Sequence, residues 1–392
     1  MNAKIDYSKS PYHSLFLLKP DIVFLNHGSF GATPIPVFER YQHWQRELER
    51  QPVEFLGRKA QELLYQSRAA LAEYLHTQPA NLVYVTNATT GLNVIAHSLS
   101  LSSKDEVLST DHEYGALDRT WRFLSHKRGF KYINQPINLP VQNQEQIITD
   151  LWRGVTPRTK VIFISHITSP TALIFPIQVI CELAREKGIL TIVDGAHAPG
   201  QIDLNLEKIG ADFYVGNLHK WLCAPKGSAF IYARPEVQEL IEPLIVSWGW
   251  QSDTPGESPF IDYLEWNGTR DISAFLAVPD AIEFQYQLGW DKLRLRCHDL
   301  ASMARSSIEM VTGIPALYPD STQWYMQMGT VPLPDDINAS QVQARLYQEF
   351  RIEIPITYWR KRPMLRFSVQ IYNDESDILA LKKALSVILC KV

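Results

Sequence analysis

Apolar and polar positions fall into two alternating textures. Short, largely apolar runs stand at 22–25, 82–86, 161–165, 188–193, 212–216 and 229–233, and the more polar stretches 105–110 and 131–134 read as further strands. Runs of that length without an interior polar face are expected for strands buried on both sides of a parallel sheet. Between them, apolar residues recur at helical spacing over 37–50, 58–75, 92–99 and 144–154, and a further helix opens at Pro176. Beyond Ala233 the texture changes. A stretch rich in Pro, Gly and Ser at 251–260 reads as a boundary. Helices are then expected up to about 288 and over 291–311, 340–350 and 375–390, with short strands near 324–328 and 364–368. Strands alternating with helices, followed by a second α/β lobe, predict two domains, 22–260 and a smaller one from 1–21 with 261–392.

The strand ends carry the polar residues. The run 188–193 closes in Asp194-Gly195-Ala196-His197, and ligands of open α/β sheets bind outside the carboxyl ends of their strands. The next run leads into Asn217-Leu218-His219-Lys220-Trp221, and Ala229–Ala233 follows after a Pro and a Gly. A lysine between two buried strands loses ammonium character through desolvation, and a neutral amine there attacks carbonyls. A carboxylate at one strand end with a lysine after the next strand suits pyridoxal 5'-phosphate (PLP) chemistry. The lysine forms a Schiff base, and the carboxylate keeps the pyridine nitrogen protonated. Asp194, His197 and His219 could also be drawn as metal ligands, but no further acidic or His cluster completes a shell and a metal leaves Lys220 without a role.

Other turns fit the same chemistry or a plainer one. The strand 82–86 runs into Asn87-Ala88-Thr89-Thr90-Gly91 and a helix, a unit that serves as an N-cap or as a phosphate seat. Asn26-His27-Gly28-Ser29-Phe30-Gly31 is either a turn or a place where backbone meets a ligand.

On these residues, and across nearly the whole chain from Leu25-Asn26-His27-Gly28-Ser29 to Arg366-Phe367-Ser368, the chain resembles the class V aminotransferase family of PLP fold type I, and within it the isopenicillin N epimerase-like branch. The resemblance implies an α/β fold, a large domain with a mostly parallel seven-stranded sheet between helices plus a smaller C-terminal α/β domain. It implies a Schiff base on Lys220, Asp194 on the pyridine nitrogen, and Ala88, Thr89 and Thr90 around the phosphate. Asn217 and His219 would add phosphate contacts, where relatives often carry Ser or Thr in place of Asn217. His112 would stack on the ring, with Tyr114 in reserve. His197, Thr168 and Ser169 would meet the ring oxygen; Ala172 stands where relatives often have Gly. Asn26 borders the substrate pocket, and Arg366 binds the α-carboxylate of an amino acid. Thr269, with Arg270, would reach the neighbouring protomer's phosphate in a homodimer.

The expected reaction is at Cα of an amino acid, by epimerisation or racemisation. A C–S lyase, a cysteine desulfurase-like enzyme, a transaminase and a catalytically idle PLP-binding protein are the alternatives. A desulfurase needs a nucleophilic Cys shortly before the carboxylate-binding Arg, and 357–364 has none. Cys181, Cys223, Cys297 and Cys390 are scattered, which fits a reducing, cytoplasmic compartment. A net charge of -4 over 392 residues gives no case for a nucleic-acid partner, and no apolar run is long enough to span a bilayer. With 45% hydrophobic and 20% charged residues, the composition is that of a folded chain.

Overall fold

The structure, a computed structural model, describes residues 10–256 and 258–389. Cys390, residues 1–9 of the N-terminal piece assigned to the small domain and residue 257 of the boundary loop lie outside the described residues. The strands in chain order are β1 (Val23–Phe24), β2 (Leu82–Val85), β3 (Glu106–Thr110), β4 (Lys131–Gln135), β5 (Thr159–Ser165), β6 (Leu190–Asp194), β7 (Phe213–Asn217), β8 (Ala229–Ala233), β9 (Met328–Pro332), β10 (Ile352–Glu353), β11 (Ile356–Trp359) and β12 (Arg362–Ser368).

Seven of them form one sheet in the order β2-β8-β7-β6-β5-β3-β4. All neighbours are parallel except β8, which is antiparallel to both β2 and β7. The continuous apolar runs are explained by helices on both faces. Alternate residues feed opposite cores: Val161, Phe163, Val215 and Ile231 on one side, Ile162, Ile164, Tyr214 and Phe230 on the other. Each such fully buried side chain contributes roughly 1.5–3 kcal/mol. β4 closes the sheet with an exposed Lys131 and half-buried neighbours, as an edge permits.

Gly91 lets the helix Ala88–Ser98 lie close to the sheet. A Cβ there would stand 2.8 Å from Val215 and 3.0 Å from Ile231. That helix begins four residues before the apolar periodicity does, because Asn87 caps it by accepting from the Thr90 amide at 2.8 Å.

The second sheet is antiparallel, in the order β11-β12-β9, and the long helices Trp290–Thr312 and Glu375–Leu389 pack together beside it. Residues 324–327, expected in a strand, precede β9. The segment 357–364 is a hairpin. Trp359 pairs with Arg362 across a two-residue turn, and Arg360 and Lys361 both take positive φ, 48° and 66°. Arg360 donates to Asp111 at 2.6 Å, which ties the hairpin tip to the end of β3.

Two segments bridge the lobes. β1 pairs in parallel with β10, and Asn26 bridges to Ser368, so the chain from Val23 to Asn26 runs along the C-terminal lobe. Helices Ser273–Leu276 and Val278–Gln287 pack on Ile35–Arg50 and Ala60–Tyr74. The loop at 251–260 is therefore followed by elements that cover the large sheet's side of the molecule. No helix among the described residues is long and apolar enough to cross a membrane.

Candidate active site

A cavity of about 480 Å³ opens at the carboxyl ends of β5, β6 and β7. Ser165, Asp194 and Asn217 are the last residues of these three adjacent strands, and all three line it. Strand pairing alone places them there: Ser165 is in register with Asp194, and Asp194 with Val215.

Asp194 is buried, and one carboxylate oxygen accepts the Ala196 amide at 2.9 Å. Burial raises its pKa to about 6, against the pull of that amide and of Lys220. Lys220 follows β7 in a turn. Its Nζ lies 3.1 Å from His197 Nε2. Burial, with Arg366 adding repulsion and Asp194 opposing, lowers the Lys220 pKa to about 7. The backbone of that turn is gripped from outside. His27 Nε2–H donates to the Lys220 carbonyl at 2.9 Å, and a Cβ at Gly31 would fall 1.9 Å from the His219 carbonyl oxygen.

The free protein therefore carries strain at this amine. A lysine protonated in the unfolded chain up to about pH 10.5 sheds its proton near 7 when folded, so stability rises with pH between those values. Lys220→Met should melt above the wild-type, cofactor-free protein at pH 7, with the gap narrowing toward pH 10. Equal melting temperatures across that range would show that the amine is not strained.

The helix Ala88–Ser98 points its N-terminus at the same cavity. Asn217 accepts the Ala88 amide at 2.8 Å and Asn87 takes that of Thr90, and Thr89 between them lines the cavity. His219 also lines it. Its Nδ1–H donates to the Ser228 carbonyl at 3.2 Å, and burial beside Lys220 lowers its pKa to about 4.

Arg366 enters from β12. It is 6% exposed, donates through Nη1 to the Ser169 carbonyl (2.9 Å) and hydroxyl (3.0 Å), and through Nη2 to Ser29 at 3.2 Å. Its Nε has no partner, and no carboxylate among the described residues pairs with it. Burial lowers its pKa only to about 10, so it stays charged at neutral pH. A buried guanidinium held by neutral acceptors and lacking a counter-ion is matched to an incoming carboxylate.

Of the residues expected at the site, Ala88, Thr89, Ser169, Asp194, His197, Asn217, His219, Lys220 and Arg366 converge here. Five others do not line the cavity. His112 is wholly buried behind it, with Nδ1 2.7 Å from the Thr171 hydroxyl, Nε2 3.0 Å from the Ile137 carbonyl and its ring against Trp359 and Phe175. Tyr114, two residues on and 47% exposed, lines the cavity, as does Phe30. Thr168 is turned inward to Thr171 and Leu173, and Thr90 is occupied by Asn87. Asn26 donates to Glu353 and accepts from Ser29, while Thr269 is exposed on the surface. Ala172 adopts φ 58°, a left-handed conformation that favours Gly. Sequence reasoning missed Ser29 and Ser165 as individual contributors. Nothing local marks either; only the sheet and the N-terminal segment bring them in.

A lysine amine that sheds its proton near neutral pH, a carboxyl at a strand end, a helix N-terminus and a guanidinium without a counter-ion, all around one cavity, fit the aldehyde, ring nitrogen and phosphate of PLP with an amino acid beside it. A family model described as Aminotransferase class-V matches residues 31–381. Isopenicillin N epimerase of Streptomyces clavuligerus is 36% identical over 382 residues, covering 95% of this chain and 96% of the relative. Putative L-cysteine desulfhydrase 1 of Oryza sativa subsp. japonica is 28% identical, covering 92% and 82%. Among solved structures, a cysteine desulfurase from Thermococcus onnurineus NA1 superposes with a TM-score of 0.82 at 18% identity, covering 97% of this chain and 98% of that one, a likeness of fold.

Proposed function

We propose that this chain, which belongs to the aminotransferase class-V family, is an isopenicillin N epimerase-like enzyme that uses PLP to break the Cα–H bond of an amino acid and return the proton. The observation that carries this is the meeting of Lys220, Asp194 and an unpaired, buried Arg366 in one cavity. When bound, PLP supplies the electron sink that makes a Cα proton labile. The chain does the rest. Arg366 receives the substrate carboxylate and sets which bond faces Lys220. Lys220, with a pKa of about 7, would hold the cofactor and, once released, exchange the Cα proton on its own face near neutral pH, while inversion requires a second proton donor on the opposite face. Asp194 holds the proton on the ring nitrogen. Thr89, His219 and Asn217 seat the phosphate.

Carbon–sulfur lysis is the second reading, favoured by the L-cysteine desulfhydrase relative. Sulfur transfer through a protein thiol is disfavoured. The segment 357–364 is a hairpin without Cys. Cys223 has no exposed surface, and burial pushes its thiol up to about 12. The deciding experiment follows solvent deuterium into Cα of candidate amino acids while pyruvate and sulfide are assayed. Deuterium with inversion and no release supports the epimerase. Release of both products moves the chain to the lyases. In either case Cys223→Ser should keep activity within about twofold, since surface-inert buried thiols do no chemistry; a persulfide on Cys223 would defeat both readings.

We also infer a cytoplasmic homodimer. Thr269 is exposed and does not line its own cavity, so a second protomer can meet it, and Ile245, Val246 and Trp248 are further exposed apolar residues. Sedimentation at micromolar concentration should give the dimer mass. A monomer that holds PLP tightly would overturn the trans contact.

A further inference from the structure

His197 stands between two nitrogens. Its Nε2 is 3.1 Å from Lys220 Nζ, and its Nδ1 receives the indole N–H of Trp221 at 3.3 Å. An indole nitrogen can only donate, so Nδ1 must accept. In a neutral imidazole the single proton then resides on Nε2, on the cavity side. Neutrality follows from the surroundings: the ring is 4% exposed, and Lys220, Arg366 and His219 are the charged or titratable groups that face it. Both partners are held. The His197 carbonyl accepts Gln201 Nε2 at 2.7 Å, the Trp221 carbonyl accepts Gln285 Nε2 at 2.7 Å, and the indole packs on His27 with ring centroids 5.0 Å apart.

We propose that Trp221 is a positioning residue that locks His197 in its Nε2–H tautomer, so that the cavity always meets a hydrogen-bond donor at this point. In the protein without cofactor that donor meets the lone pair of the neutral Lys220 amine. With PLP in place, which rests on the function proposed above, it meets the phenolic oxygen of the ring. An amide side chain at position 197 would donate whichever neighbour it had. An imidazole donates there only if its other nitrogen is made to accept, and Trp221 does that.

The test has two independent parts. Nitrogen-15 NMR of histidine-labelled full-length protein, with and without PLP, reads the tautomer directly. The expected spectrum has His197 protonated on Nε2 alone at neutral pH. Protonation on Nδ1, or on both nitrogens, overturns the proposal without any variant having to fold, and it does so even if PLP does not bind. The second part titrates the absorbance of bound PLP against pH in Trp221→Phe, His197→Gln and the double variant. Loss of a fixed donor to the phenolic oxygen should raise the cofactor's proton affinity by about threefold or more in Trp221→Phe. In the His197→Gln background the same Trp221→Phe change should shift nothing. Equal shifts in both backgrounds would mean that Trp221 merely packs. Failure of the protein to bind PLP, with the Nε2–H tautomer intact, would instead defeat the cofactor assignment and leave the lock standing.

Discussion

Lys220→Ala should yield a protein that cannot hold PLP covalently and turns over amino acids at least about 10²–10⁴-fold more slowly, the range that a positioned acid–base group alone supplies. Borohydride reduction of the wild-type protein followed by peptide mapping should place the pyridoxyl label on Lys220. Lys226 is the instructive alternative. Burial lowers its pKa as well, yet it reaches toward Thr33 and does not line the cavity. Desolvation prepares both amines, and position separates them. A label on Lys226, or a Lys220→Ala protein that keeps the label and the activity, would remove Lys220 from the chemistry.

Arg366→Ala should raise KM far more than it lowers kcat. Truncating one partner of a buried, hydrogen-bonded charge pair costs about 2–5 kcal/mol, or about 30- to 5,000-fold in affinity. Arg366→Lys should recover only part of this. It keeps the charge but loses the planar fork, and Ser169 and Ser29 are arranged for two separate Nη donors. If Arg366→Ala lowered kcat and left KM unchanged, Arg366 would act on the reacting centre and not as an anchor.

The chemistry was legible where it depends on residue type at a strand end. Asp194 and Lys220 stand out because a continuous apolar run predicts a buried strand, and an ionisable residue at its end needs a reason to be there. The cofactor class, the mostly parallel sheet and the second lobe follow from the same runs with the family resemblance. The amino-acid sequence also determined that no thiol stands in 357–364, whatever the shape of that segment.

Tertiary structure alone decided which way each polar side chain faces. His112 is the expected stacking residue with Tyr114 in reserve, but the ring of His112 meets Thr171 and the Ile137 carbonyl in the interior, and Tyr114 lines the cavity. Thr90, expected at the phosphate seat, gives its amide to Asn87, three residues earlier, which caps the helix. Ser29 and Arg366 are 337 residues apart and meet only because β1 pairs with β10 and carries the N-terminal segment along the C-terminal lobe. Trp221 reads as core, and only its 3.3 Å contact with His197 gives the indole N–H a task. The reason is common to all four. Periodicity records whether a position is buried, while a hydrogen bond depends on which distant donor or acceptor burial brings within about 3 Å.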